Sequence, residues 1–85
     1  MSNWYVYIAK AKSSRFYTGI TTNPIERITE HNTGHGSRFA VSQGPLELIY
    51  VSKAFSGKSE ARKREIQIKK WSRIKKQKLI DGIWT

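Results

Sequence analysis

Trp4-Tyr5-Val6-Tyr7-Ile8-Ala9, a polar gap, then Arg15-Phe16-Tyr17-Thr18-Gly19-Ile20-Thr21: these two runs decide the fold. Both are dominated by β-branched and aromatic residues, which suit the pleated surface of a strand. In the first, Trp4, Val6 and Ile8 share one face while Tyr5 and Tyr7 share the other. In the second, Phe16, Thr18 and Ile20 alternate with Tyr17 and Gly19. Lys10 to Ser14 is a polar turn, so the two runs pair as a hairpin. Gly19 is the awkward residue, because glycine weakens a strand interior unless something must approach the backbone closely. A helix or a phosphodiester would each meet that description.

Downstream, Asn23-Pro24 is a strong helix start. Asn23 can cap, Pro24 suits the first helical position, and Glu26 completes a box-like arrangement three residues after the cap. The helix should run to about Asn32 and stop at Gly34. Ile25 and Ile28 are expected to face the core, with Arg27 and His31 together on the flank of that stripe. Gly34 to Pro45, rich in Gly and Ser, reads as a loop. Leu46 to Ser52 reads as a third strand. Ser56 or Ser59 then opens a long basic helix, on which Ala61, Glu65, Ile68 and Ser72 fall within about 60° at the helical step of ~100° per residue. Glu65 therefore lies beside the inward stripe, and Glu60 points away from it. The pattern drifts after Trp71, so Ser72 caps a separate short helix carrying Ile74, Leu79 and Ile80. Residues 81–85 are expected to form a loose tail, from which Trp84 can fold back. The expectation is one domain over residues 1–85 of α/β (α+β) class: ββαβα, a three-stranded antiparallel sheet flanked by helices.

Composition narrows the function. With 85 residues and 38% hydrophobic content, the chain can bury one modest core. The absence of Cys excludes disulfide scaffolds and thiolate metal sites. No apolar run is long enough to span a bilayer and the start is no signal peptide, so a soluble, cytoplasmic protein is expected. Sixteen Lys+Arg against six Asp+Glu give a net charge of +10, a field that draws polyanions. Eleven of those basic residues fall between Lys53 and Lys78, against only Glu60 and Glu65. Solvated helix faces usually mix signs, so the imbalance favours nucleic acid. A membrane surface is disfavoured, since no broad apolar face accompanies the basic one. Lys58, Arg62, Lys69, Lys70, Arg73 and, in the loop, Arg38 are the candidate nucleic-acid contacts.

Five side chains could carry chemistry: Tyr7, Tyr17, Arg27, His31 and Glu65. Each has an ordinary alternative. Glu65 can be a helix ion-pair partner for Lys69. Its place beside Ala61 and Ile68 argues for partial burial, however, and a half-buried carboxylate needs a cation, for which hard Mg²⁺ is suited. Arg27 can be a surface cation or a planar fork holding phosphate. His31 can be a helix-end imidazole, or can share that phosphate from one turn on. Tyr7 and Tyr17 are ordinary strand aromatics by propensity, yet two of them on adjacent strands lie close to Arg27. Other chemistries lack their parts: the chain has no phosphate-binding Gly-rich loop with Lys-Ser/Thr and no Cys nucleophile. Gly34 and Gly36 bracket His35, so no helical His-x-x-x-His site forms.

Tyr5-Val6-Tyr7, followed ten residues later by Tyr17-Thr18-Gly19, resembles the paired motifs of the GIY-YIG nuclease family. The likeness continues through Arg27, His31 and Glu65 in "REIQIKKW" and covers nearly the whole chain, most like small stand-alone bacterial members and similar to the front domain of the excinuclease C subunit. The resemblance implies an endonuclease acting on DNA in preference to RNA, structured or damaged DNA included, in the setting of DNA repair. It implies Glu65 as the sole protein ligand of Mg²⁺ or Mn²⁺ and Arg27 as the group stabilising charge on the phosphate. It further implies Tyr7 as general base or water-orienting group, with Tyr17 beside it and His31 helping to move the proton; which Tyr is the base stays open. A phenol's unperturbed pKa of about 10 requires a nearby cation or low-pKa water for that role. Two departures stand out: Tyr5 replaces the first Gly of the first tripeptide, and the loop reads Ser37-Arg38-Phe39-Ala40 where relatives more often carry Lys-Tyr-Thr. With no second DNA-binding region in evidence, the alternatives are a protein partner that supplies specificity, or a non-catalytic nucleic-acid-binding module of the same fold.

Overall fold

In the computed structural model, which describes residues 3–33 and 45–83, the first run becomes β1 (Tyr5–Lys10) and the second β2 (Phe16–Thr21). They pair antiparallel, with Tyr7 opposite Gly19 and Ala9 opposite Tyr17. Trp4 stands just outside β1, in an isolated bridge to Phe55. The hairpin closes through Ala11 N–H donating to the Arg15 carbonyl at 2.9 Å and Ser14 N–H donating to the Ala11 carbonyl at 2.8 Å. Ser14 takes φ +73°, the left-handed region. A loop of three residues needs one such residue before the returning strand, and glycine takes the position with least strain.

β3 (Glu47–Val51) pairs antiparallel on the other side of β1, so the sheet order is β2-β1-β3. The central position of β1 explains why Val6, Tyr7, Ile8 and Ala9 are all buried. The β1–β3 ladder slips between Ile8, opposite Tyr50, and Ala9, opposite Leu48. Ile49 is thereby left as an extra residue, a bulge. Its consequence is that Ile49 and Tyr50 both pack on one core while Leu48 packs on the other.

Two small cores result. Val6 and Ile8 meet Ala61 and Ile68 of α2 (Lys58–Lys69) and Leu79 of α3 (Arg73–Ile80). On the opposite face, Tyr7, Ala9 and Ala11 meet Ile28 of α1 (Pro24–Asn32) and Leu46. The chain is thus a three-stranded antiparallel sheet with helices on both faces, an α+β fold of order ββαβαα among the described residues. No helix among them is long and apolar enough to cross a membrane.

The helix ends show where local chemistry held and where it did not. Asn23 Oδ1 accepts from Glu26 N–H at 3.1 Å, as its side chain dictates. The box is only half formed, because Asn23 N–H donates to Thr21 Oγ1 at 3.1 Å instead of to Glu26. Ile25 does not face the core: it is 74% exposed, since it sits in the first turn and α1 reaches the sheet only from Ile28 onward. At the other end, the Asn32 side chain behaves like a piece of strand. Its amide donates to the Leu46 carbonyl at 2.9 Å and its Oδ1 accepts from Leu46 N–H at 2.7 Å, tying the entry of β3 to α1. The start of α2 is capped by Gly57, with no side-chain bond, rather than by Ser56 or Ser59. Ser72 does cap α3, accepting from Lys75 N–H at 3.2 Å.

The first residues of the expected loose tail are fastened. Gly82, at φ +81°, donates to the Leu79 carbonyl at 3.1 Å, and Ile83 N–H donates to the Lys78 carbonyl at 2.9 Å. This pair of bonds is the Schellman closure of a helix. Arg38 and the other residues of 34–44, expected from the sequence to form a loop, lie outside the described residues, as do Trp84 and Thr85.

Ser14 generates a stability prediction. Ser14→Gly removes a Cβ from a left-handed residue and should stabilise the protein by about 1 kcal/mol net of glycine's greater chain entropy. Urea denaturation measures this; a Ser14→Gly midpoint at or below the parent's would show that the turn carries no strain.

Candidate functional site

β2 is an edge strand, and α1 and α2 approach it from opposite faces of the sheet. Between them opens a cleft of about 320 Å³ whose walls include Tyr7, Tyr17, Arg27, His31 and Glu65, together with Gly19, Leu46 and Arg62. Side chains separated by as many as 58 positions in the chain (Tyr7 to Glu65) thus border one space. All five candidates read from the sequence are there.

Tyr7 reaches the cleft from the centre of the sheet and is 7% exposed. Its ring lies over Gly19, directly across the ladder. A Cβ on Gly19 would stand 2.7 Å from the phenol oxygen and 2.8 Å from the carbon that bears it. The glycine is therefore required by Tyr7 itself, and not by a helix or a phosphodiester as the sequence suggested. Tyr17, opposite Ala9, emerges on the same face.

α1 supplies Arg27 and His31 one turn apart. The Arg27 guanidinium is about half exposed and 3.7 Å from Glu30, a loose surface pair that adds little stability. His31 is half-buried, and its Nδ1 is enclosed without a hydrogen-bond partner among the described residues. Burial, then the Arg27 charge, lowers its pKa below the ordinary histidine value, with Glu30 pulling weakly the other way. At neutral pH the imidazole is consequently uncharged and able to accept a proton.

Glu65 comes from α2, where the 3.6-residue period puts it beside Ala61 and Ile68. It is 4% exposed. Lys69 Nζ stands 3.3 Å from Oε2 and Arg62 stands 3.3 Å from Oε1. The ordinary reading, an ion pair with Lys69, is thus present together with burial in the cleft. Arg62 was legible only as a basic residue; its i,i+3 spacing from Glu65 is the signal for this contact. Oε1 is buried and makes no aligned hydrogen bond among the described residues, despite the nearby guanidinium. Removing a carboxylate from water costs several kcal/mol, and two cations that are each more than half exposed return little of it. Stability does not explain this residue.

The remaining basic candidates follow the length of β2. Arg73 stacks over Phe16 at 4.0 Å, where the strand begins. Lys58 lies 5.2 Å from the Trp4 ring in a pocket that includes Thr21, where it ends. Arg62 and Lys69 stand between them on Glu65, and Lys70 is exposed at the end of α2.

The carboxylate fits a divalent ion of one kind. No group of three His, Cys, Asp or Glu side chains gathers among the described residues, so a cage of protein ligands is absent there. A single carboxylate with one buried oxygen lacking a hydrogen bond suits an ion that keeps most of its shell as water and phosphate oxygen, as Mg²⁺ does.

Fold and cleft together define a small basic α+β domain whose edge strand carries one carboxylate among cations and phenols. Residues 3–78 match the family described as the GIY-YIG catalytic domain. The chain is 46% identical over 81 residues to the UPF0213 protein SH2523 of Staphylococcus haemolyticus, covering 95% of this chain and 98% of that one. It is 40% identical over 76 residues to the UPF0213 protein NP_0776A of Natronomonas pharaonis, covering 89% of this chain and 88% of that one. Among solved structures it is similar to the UPF0213 protein BH0048 of Bacillus halodurans, with a TM-score of 0.58 and 39% identity over 93% of this chain and 83% of that one. It is also similar to the protein EF2693 of E. faecalis, with a TM-score of 0.64 and 32% identity over 96% and 86% of the two chains. The chain belongs to the GIY-YIG family. That is a family of nucleases, which implies a nucleic-acid substrate, and its members generally use divalent metals.

The packing of Tyr7 on Gly19 is testable. Gly19→Ala should displace the ring and destabilise the protein by about 1–3 kcal/mol, the usual penalty of overpacking. Thermal melting and the aromatic NMR shifts of Tyr7 report the two effects. Unchanged shifts with unchanged melting would mean that the ring does not rest on this backbone.

Proposed function

We propose that the protein is a divalent-metal-dependent endonuclease that hydrolyses phosphodiester bonds of DNA, structured or damaged DNA included. The observation that carries this reading is the buried Glu65 carboxylate, which stability does not require, bordering the same cleft as Arg27 and the two phenols.

In hydrolysis, a water oxygen attacks phosphorus, the bond to the leaving sugar oxygen breaks, and negative charge gathers on the non-bridging oxygens. The Arg27 guanidinium is free enough of Glu30 to turn its planar donors onto those oxygens. Tyr7 or Tyr17 orients the water and takes its proton as it gives up its own phenolic proton, and solvent protonates the departing sugar oxygen. His31, uncharged and with Nδ1 free of a protein hydrogen bond among the described residues, takes the proton onward. Glu65 would hold Mg²⁺ or Mn²⁺, which when bound supplies further positive charge against the phosphate. Arg62 and Lys69, half exposed, can then leave Glu65 for neighbouring phosphates. Lys58, Lys70 and Arg73 extend that contact along β2, and loop residue Arg38 belongs to the same proposal from outside the described residues. Site choice would come from the shape of the DNA or from a protein partner.

A second reading is a nucleic-acid-binding module without turnover. What favours it is that each Glu65 oxygen already faces a cation at 3.3 Å.

Incubation with Mg²⁺ or Mn²⁺ on supercoiled, single-stranded and branched DNA separates the two. Glu65→Ala and Arg27→Ala should each lower cutting by about 100-fold or more while leaving salt-dependent binding largely intact. A Glu65→Ala protein that cuts as fast as its parent refutes the metal assignment. Replacing Lys69, Lys70 and Arg73 together by Ala should flatten the salt dependence of binding by about one slope unit for each phosphate no longer neutralised. A slope left unchanged by that triple substitution would place the DNA elsewhere.

A further inference from the structure

Next to the cleft, and sharing Ile20, Arg27 and Arg62 with it, lies a second pocket of about 310 Å³ around Trp4, Thr22 and Lys58. We infer that this pocket takes an unpaired nucleotide adjoining the scissile phosphate, its base stacked on Trp4 and its phosphate held by Lys58 and Arg62. The inference rests on the nucleic-acid reading above and deepens it by naming the form of DNA that the site prefers.

Three observations carry it. First, Trp4 is only partly buried, and its backbone is pinned from both sides: Trp4 N–H donates to the Phe55 carbonyl and Phe55 N–H donates to the Trp4 carbonyl, each at 2.8 Å. The backbone that carries the indole is thus fixed, and the side chain packs against the core of Val6, Ile8, Ala61, Ile68 and Leu79. Second, the Lys58 ammonium lies over the Trp4 ring, 5.2 Å from its centroid. An exposed cation over an aromatic ring is a weaker contact than a stacked base, and the flexible lysine can move from ring to phosphate while the base takes its place. Third, the described residues lining the pocket include Lys58, Arg27 and Arg62 and no carboxylate. A π-face ringed by cations is the chemistry that recognises a nucleotide.

Continuity sets the form of the ligand. Arg27 and Arg62 border both spaces, so a strand whose phosphate meets Arg27 in the cleft presents its next nucleotide to Trp4. A base inside a duplex has both faces stacked and cannot reach an indole on the protein surface. A frayed end, flap or single strand can.

The test is equilibrium binding in EDTA, where nothing is cut, of a short labelled oligo-dT strand and of a mixed-sequence duplex. Trp4→Leu keeps the apolar bulk but removes the π-face. It should lose about tenfold for the strand and no more than about twofold for the duplex. Lys58→Ala should weaken both and lower the salt slope by about 0.7–0.9. As a check independent of folding losses in Trp4→Leu, Trp71→Phe with Trp84→Phe leaves Trp4 as the sole indole. Its fluorescence should then be quenched by the dT strand and not by an abasic strand of equal length. An unchanged strand-to-duplex ratio in a folded Trp4→Leu protein, or equal quenching by the abasic strand, overturns the inference. If the parent cuts nothing but the ratio shifts, the catalytic reading fails and the pocket stands. If Glu65→Ala abolishes cutting but Trp4→Leu binds both ligands as before, the pocket alone fails.

Discussion

A carboxylate held out of water on the inner side of a strongly basic helix is the constraint around which this structure is arranged. Glu65 lies on the same stripe as Ala61 and Ile68, and both of those are fully buried. Wherever α2 docks on the sheet, Glu65 must therefore be carried toward the edge of the interface. A well-packed apolar side chain there would be at least as stable, because a desolvated charge is compensated poorly by partners that remain in solvent. Arg62 and Lys69 soften the penalty without removing it. The proposed metal-binding role accounts for a carboxylate kept against that preference.

The sheet order turns this one residue into a site. With β1 in the centre, β2 lies at the edge of the sheet among the described residues, and side chains from the helices on the two faces border one cleft beside it. α1 contributes the guanidinium and the imidazole, α2 the carboxylate, and β1 and β2 the phenols. Gly19 completes the arrangement by what it lacks: the Tyr7 ring occupies the space that a Cβ would fill. The helices also place cations on aromatic rings at both ends of β2, Arg73 on Phe16 and Lys58 on Trp4. Charge is thereby distributed along the strand rather than gathered at one point, which suits an extended polyanion.

Much of this was legible because it depends on short-range chemistry. The aromatic, β-branched runs form the hairpin, Asn23 and Ser72 cap their helices, and the helical period alone puts Glu65 on the inner face. Features that depend on long-range pairing were not. The bulge at Ile49 arises from how β3 meets β1, and nothing in Leu46–Ser52 marks it. Ile25 has the spacing of a core residue, but the helix meets the sheet too late to cover it. Asn32 reads as an ordinary helix-end residue, yet its amide substitutes for a strand in holding Leu46. The reason for Gly19 needed the cross-strand register, which the alternating pattern sets only after the turn geometry is known. The spacing of Arg62 from Glu65 signals their pairing, but its place in the cleft, like that of Trp4 beside Lys58, depends on tertiary neighbours.

The central claim is that Glu65 holds a divalent ion within reach of the groups across the cleft. Paramagnetic broadening by Mn²⁺ in the NMR spectrum of the isotope-labelled protein tests it without any cutting assay. Signals of Glu65, Tyr7, Gly19, Arg27 and His31 should broaden together at low Mn²⁺, and the effect should vanish in Glu65→Ala. Broadening centred instead on Glu47, Glu60 or Asp81, or persisting undiminished in Glu65→Ala, would contradict the account.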